Sequence, residues 1–120
     1  MMISVAPLTI RYRVTRWFCA RGDYRGSCMI RRGGSAEQPL VVRAKSMENR
    51  PRIVYEGSSA NVIEVRADHV VLIGLAFGPT QRNVDGIRIR SNQDVGVIDC
   101  EFSGMGGIAV VANQSNLRGL

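Results

Sequence analysis

Glu64, Arg66, Arg88 and Arg90 are the residues whose types and spacing best suit chemistry on an anion. Glu64 stands between Ile63 and Val65, Arg88 stands between Ile87 and Ile89, and Arg66 and Arg90 follow one step after each run. Alternate side chains of a strand point to opposite faces, so such runs separate an apolar face from a charged one. At an offset of 24 residues Glu64 falls on Arg88 and Arg66 on Arg90, and the columns are read as continuing to Ala109 and Val111. If neighbouring strands carry these segments, guanidinium groups lie roughly 5 Å apart on one face. They repel by about 1 kcal/mol in water and by several times that where solvent is partly excluded, and a bridging anion reverses the sign. In the plainer reading the arginines solvate the face and pair with Glu64.

The elements that must position these residues come in near-copies. In NVIEVRADHVVLIGLAFG (61–78) and DGIRIRSNQDVGVIDCEFSG (85–104), Ile63, Val65 and Ala67 match Ile87, Ile89 and Ser91 at an offset of 24. After one extra turn residue, Val70, Leu72, Leu75 and Phe77 match Val95, Val97, Cys100 and Phe102 at 25. A third copy starts at GGIAVVANQSNLRGL, where Ile108 and Val110 are read as continuing the inward column. Each run has apolar residues at every second position and ends in Gly, Asn, Asp or Ser, the signature of short strands. No stretch between them has helical periodicity. A repeat of this length built from strands and polar turns predicts an all-β solenoid, one coil per repeat. Gly74 aligns with Asp99, two residue types that tolerate a left-handed backbone, as a recurring sharp corner requires.

Composition narrows the partners. A chain of 120 residues with 45% hydrophobic and 22% charged residues suits one folded domain. The net charge of +6 is concentrated early: residues 1–52 hold eleven Arg or Lys against three acids, residues 53–120 five against seven. The repeats themselves are slightly acidic and aromatic residues are few, so nucleic acid is not an expected partner. No apolar run reaches the roughly 18 residues of a membrane span, and MMISVAPLTI lacks the layout of a signal peptide, so neither a membrane nor a compartment is assigned. Cys19, Cys28 and Cys100 form neither a CxxC pair nor an even set, which argues against a disulfide scaffold or metal knuckle. Cys100, aligned with Leu75, reads as a small apolar residue.

From residue 22 onward the chain resembles the right-handed parallel β-helix proteins typified by pectate lyases, chondroitinase B and alginate lyases. GDYRGSCMIRRGGSAEQPLVVRAK is similar to their opening coil, and RPRIVYEGSSANVIEVRADHVVLIGLAF to their passage into regular coils. Residues 1–21, with PLTIRYRVTRWFCAR, depart from the pattern as an atypical basic segment in place of the usual cap. Residues 22–120 resemble three to four coils of an incomplete β-helix. The resemblance implies an acidic polysaccharide as partner, polyuronide or sulfated, and cleavage by β-elimination in the full-length protein. It implies Ca²⁺ for complete lyases of this kind; no cofactor or metal site is assigned to this chain. Family members are often secreted or periplasmic.

Elimination next to a carboxylate needs a base and a positive charge to hold the developing anion. Asp85, Asp94 and Asp99 read as turn residues, and no catalytic residue is assigned. His69 reads as a turn residue too, without a His or Cys partner. ARGD at 20–23, the acceptor pattern Asn113-Gln114-Ser115 and the RRGGS run at 31–35 carry no functional assignment. Two functions follow: recognition of an acidic polysaccharide through Glu64, Arg66, Arg88 and Arg90, or a noncatalytic, adhesin-like scaffold. Because LRGL comes before a successor to Cys100 and Phe102, self-association through an uncapped last coil is expected.

Overall fold

Alternating apolar residues make short strands, and glycine or polar corners stop each of them after two to five residues. The computed structural model describes residues 2–4, 16–19, 22–58, 60–91 and 93–112, with backbone only before residue 26. Strands β1 (Met2–Ser4), β2 (Arg16–Cys19) and β3 (Gly22–Arg25) come first. A coil follows from β4 (Cys28–Ile30), β5 (Leu40–Ala44) and β6 (Pro51–Val54), then a second from β7 (Asn61–Val65), β8 (Val70–Ile73) and β9 (Ala76–Phe77). The third holds β10 (Asp85–Ile89), β11 (Val95–Ile98) and β12 (Glu101–Phe102), and β13 (Val110–Ala112) begins another.

Corresponding strands of successive coils pair in parallel and build three sheets, in the orders β4-β7-β10-β13, β2-β5-β8-β11 and β1-β3-β6-β9-β12. Parallel neighbours joined through a crossover take the right-handed path, because twisted strands pack back on their sheet only that way. The architecture is a right-handed parallel β-helix: the one-coil-per-repeat solenoid expected from the repeats, in the form implied by the resemblance.

The register turns sequence repeats into stacked columns. Cys28, Ile63, Ile87 and Val110 form one, and Ile30, Val65, Ile89 and Ala112 the next. Leu40, Val70 and Val95 form a third, while Ile53, Phe77 and Phe102 form another on the third sheet. Ile63, Val65, Leu72, Ile87 and Ile89 are completely buried. The rings of Phe77 and Phe102 stack with centroids 4.9 Å apart and planes 9° apart. Cys100, placed against Leu72 and Ile98 carbonyls, packs on this core as a small apolar residue.

The corners obey the same repetition. Gly74 and Asp99 both have positive φ (76° and 50°), as the alignment of the two residues predicts. His69 and Asp94 do likewise at the preceding corner, with φ of 58° and 57°. A left-handed residue between two extended ones redirects the chain sharply, so each corner bends at one repeated position.

The third copy differs from its expected register. Ile87 pairs with Val110, Arg88 with Val111 and Ile89 with Ala112, so the inward pair is Val110 and Ala112, and Arg88 does not face Ala109. Ile108 is 60% exposed. Its amide donates to Asp85 Oδ1 at 2.8 Å and its carbonyl accepts from Gly86 N–H at 2.8 Å, which commits it to the corner before the strand. The acceptor pattern at 113–115, the LRGL segment and most of the basic 1–21 segment lie outside the described residues.

Because Phe77 is enclosed between Ile53 and Phe102 while Phe102 is only partly buried, truncating the two should differ. Phe77→Ala should cost about 3–5 kcal/mol and Phe102→Ala distinctly less, read from urea unfolding midpoints. Equal losses would contradict this layering.

Candidate functional site

The first sheet, β4-β7-β10-β13, presents the predicted charged residues on its outer side. Ile63, Val65, Ile87 and Ile89 face the core, so pleating directs Glu64 and Arg88 outward, and the register sets these two opposite each other. Arg66 and Arg90 follow the strand ends, one per coil. The Arg90 amide donates to the Val65 carbonyl at 2.8 Å, and the Arg66 amide to the Ile30 carbonyl at 2.8 Å. All four predicted residues thus share one side of the solenoid.

Glu64 organises them. Its Oε2 accepts from Arg66 Nε and lies 3.2 Å from Arg90 Nε, while Oε1 lies 3.4 Å from Asn61 Nδ2. The carboxylate side chain is 12% exposed, against 52% for Arg66 and 46% for Arg90. Burial alone would raise the Glu64 pKa. Hydrogen bonds from Arg66 and Asn61 and the charges of Arg66 and Arg90 outweigh it, and the pKa falls below the usual carboxylate value. Arg88 turns elsewhere: its guanidinium meets Asp85 at 3.2 Å and Asn61 Oδ1 at 3.3 Å. The expected Glu64–Arg88 adjacency therefore exists in the backbone, but the ion pairs run Glu64 to Arg66 and Arg90, and Asp85 to Arg88.

Two hollows adjoin this group of charged residues. One of about 230 Å³ is lined by Ser27, Cys28, Met29, Ala60, Asn61 and Glu64. The other, about 400 Å³ and strongly polar, runs past Arg66 and Arg90 to Gly33, Gly34, Asp68 and Ser91. The 31–39 connection lies across the corner at 67–69 because Gly33 has no side chain: a Cβ there would stand 1.7 Å from the Asp68 carbonyl oxygen. Asp68 Oδ1 accepts from Ser91 Oγ at 2.6 Å and from the Gln93 amide at 3.3 Å, which fixes the groove wall.

The remaining candidates have structural roles. His69 Nδ1 lies 2.9 Å from Asp94 Oδ2, joining equivalent corners of two coils. Burial pushes the Cys28 thiol up to about 11, and burial also raises Cys100 against opposing hydrogen bonds from Leu75 and Gly74. Among the described residues no group of three or more His, Cys, Asp or Glu side chains is arranged to hold a metal ion.

Arg31 was missed. CMIR (28–31) has the apolar-x-apolar-Arg pattern of IEVR (63–66) and IRIR (87–90), but Cys28 pairs with Ile63, 35 residues away, beyond the 24-residue spacing that exposed the other copies. The four-residue pattern was the available signal.

Comparison with family models, curated proteins and solved structures gave no match. The topology defines the chain as a right-handed β-helix solenoid and does not single out a family within that class.

Because the Glu64 pKa is lowered on folding, its stabilising contribution is present above the unfolded carboxyl value of about 4.3 and is lost as pH falls through the lower folded value. Glu64→Gln should therefore be less stable than wild type at pH 7, by less than about 1 kcal/mol given the exposed arginines. The two should converge toward pH 3 in denaturant titrations. A gap that widens in acid would contradict the assigned role.

Proposed function

We propose that the outer side of the first sheet recognises an acidic polysaccharide. The observation that carries this reading is the placement of Arg66 and Arg90 on successive coils, at the mouth of a polar groove, with one shared carboxylate between them. Glu64 holds both guanidiniums through Nε, which orders two long side chains while presenting their outer edges for paired hydrogen bonds to a carboxylate or sulfate. The ordering lowers the entropy lost on binding. Supporting the reading further, the β-helix fold is suited to a carbohydrate-active scaffold in general.

β-Elimination is the reaction the resemblance would add in a full-length protein. Here the acids near the face have other commitments: Asp85 holds Arg88 and the Ile108 amide, Asp94 meets His69, and Asp99 forms a corner. The 120-residue chain should accordingly release no unsaturated uronide from alginate, pectate or chondroitin, with or without Ca²⁺. Ultraviolet absorbance from pure protein would overturn that expectation.

A scaffold role is favoured by one specific observation, the neutralisation of charge on the face by Glu64 itself. The two readings separate on a column. Arg66→Glu combined with Arg90→Glu should abolish salt-sensitive retention on immobilised alginate or pectate. Retention equal to wild type, or none by either protein, would leave the scaffold reading in place.

A further inference from the structure

The acidic-polysaccharide reading uses two arginines, and the strand register supplies a third. Ile30 pairs with Val65 as Val65 pairs with Ile89, and each following amide donates back to the preceding coil at 2.8 Å. Arg31, Arg66 and Arg90 therefore occupy the same step on three successive coils, about 4.8 Å apart. All three line the same groove of about 400 Å³. Glu64 pairs with Arg66 and Arg90, whereas Arg31 has no ion pair among the described residues. Of the acids at this groove, Asp68 is engaged by Ser91 and Gln93.

We infer that this column is a track for a linear acidic glycan lying along the solenoid axis, perpendicular to the strands, with its acidic groups meeting successive coils. The inference rests on the acidic-polysaccharide reading and adds direction and a third contact, Arg31. A glycan lying along a strand would meet one arginine on each of the first two coils, Arg31 beside Met29 or Arg66 beside Glu64, and two on the third, Arg88 and Arg90. Only the axial direction brings three cations to one chain. Nucleic acid is the other linear polyanion. Its single strands are held by bases stacking on aromatic rings, and no Phe, Tyr or Trp lines this groove, whose one ring, that of His69, is tied to Asp94.

The test is affinity as a function of ligand length. Galacturonate oligomers of one to six sugars would be titrated against wild type and against Arg31→Gln, Arg66→Gln and Arg90→Gln, with Arg82→Gln, an exposed arginine elsewhere, as control. Melting curves would verify that each variant folds. For wild type, affinity should rise steeply up to about three sugars. Each of the three groove variants should weaken trimer and hexamer binding by about three- to fivefold, as expected for exposed charge pairs, and leave the single sugar nearly unchanged. Arg31→Gln binding like wild type while Arg66→Gln and Arg90→Gln weaken would overturn the three-coil track and leave the two-arginine reading intact. No binding of any oligomer by wild type would overturn both. Tighter binding of oligothymidylate than of hexagalacturonate, lost in the same variants, would replace the glycan with nucleic acid.

Discussion

Every feature of this protein depends on parallel strands stacking in register from coil to coil. A side chain in the core packs chiefly on the residue 24 or 25 positions away, as Ile87 does on Ile63 and Val95 on Val70. Side chains alternate with a period of two, so a slip of one residue would expose the apolar column and bury the charged one. Register is consequently fixed by burial, and coils of unequal length must absorb the difference at corners. They do: the 31–39 and 45–50 connections lengthen the β4–β6 coil, yet β5 still pairs with β8 and β6 with β9. Met47 and Arg50 of the second connection reach the neighbouring corners at Gly74 and Asp99.

The same constraint arranges the surface. Outward positions are free to vary in chemistry but not in place, because the inward residues on either side of them are locked. Arginine after the strand in three successive coils becomes a charged column without any need for long-range design at those positions. Glu64 reduces the resulting repulsion, and Asn61 links it to the separate Arg88–Asp85 pair. Since the arginines remain about half exposed, solvent and salt moderate each contact, and the face gains selectivity from repetition more than from any single bond.

What the sequence discloses follows from which interactions repeat. The matched Ile, Val and Phe positions identify the solenoid because burial repeats with the coil, and Gly74 with Asp99 marks the corner because only a few residue types accept that backbone. Two of the places where sequence reading failed are places where the repeat is interrupted. Ile108 looks inward by alternation, but its amide and carbonyl are taken by Asp85 and Gly86, shifting the strand to Val110. Arg31 was hidden by the long connection that follows it. The ion pairs of the face were illegible for another reason: backbone position is set by register, whereas the choice between Glu64 and Asp85 as an arginine's partner is made by side-chain rotamers and Asn61.

The central claim is the register itself, and backbone nuclear Overhauser contacts in isotopically labelled protein measure it most directly. The structure predicts parallel-strand contacts joining Ile30 with Val65, Val65 with Ile89 and Ile89 with Ala112, together with Val70 to Val95. A whole ladder shifted by one residue, with Val65 opposite Arg88 and Ile63 opposite Gly86, or an antiparallel pattern between the same segments, would contradict the stacked columns and the arginine face built on them.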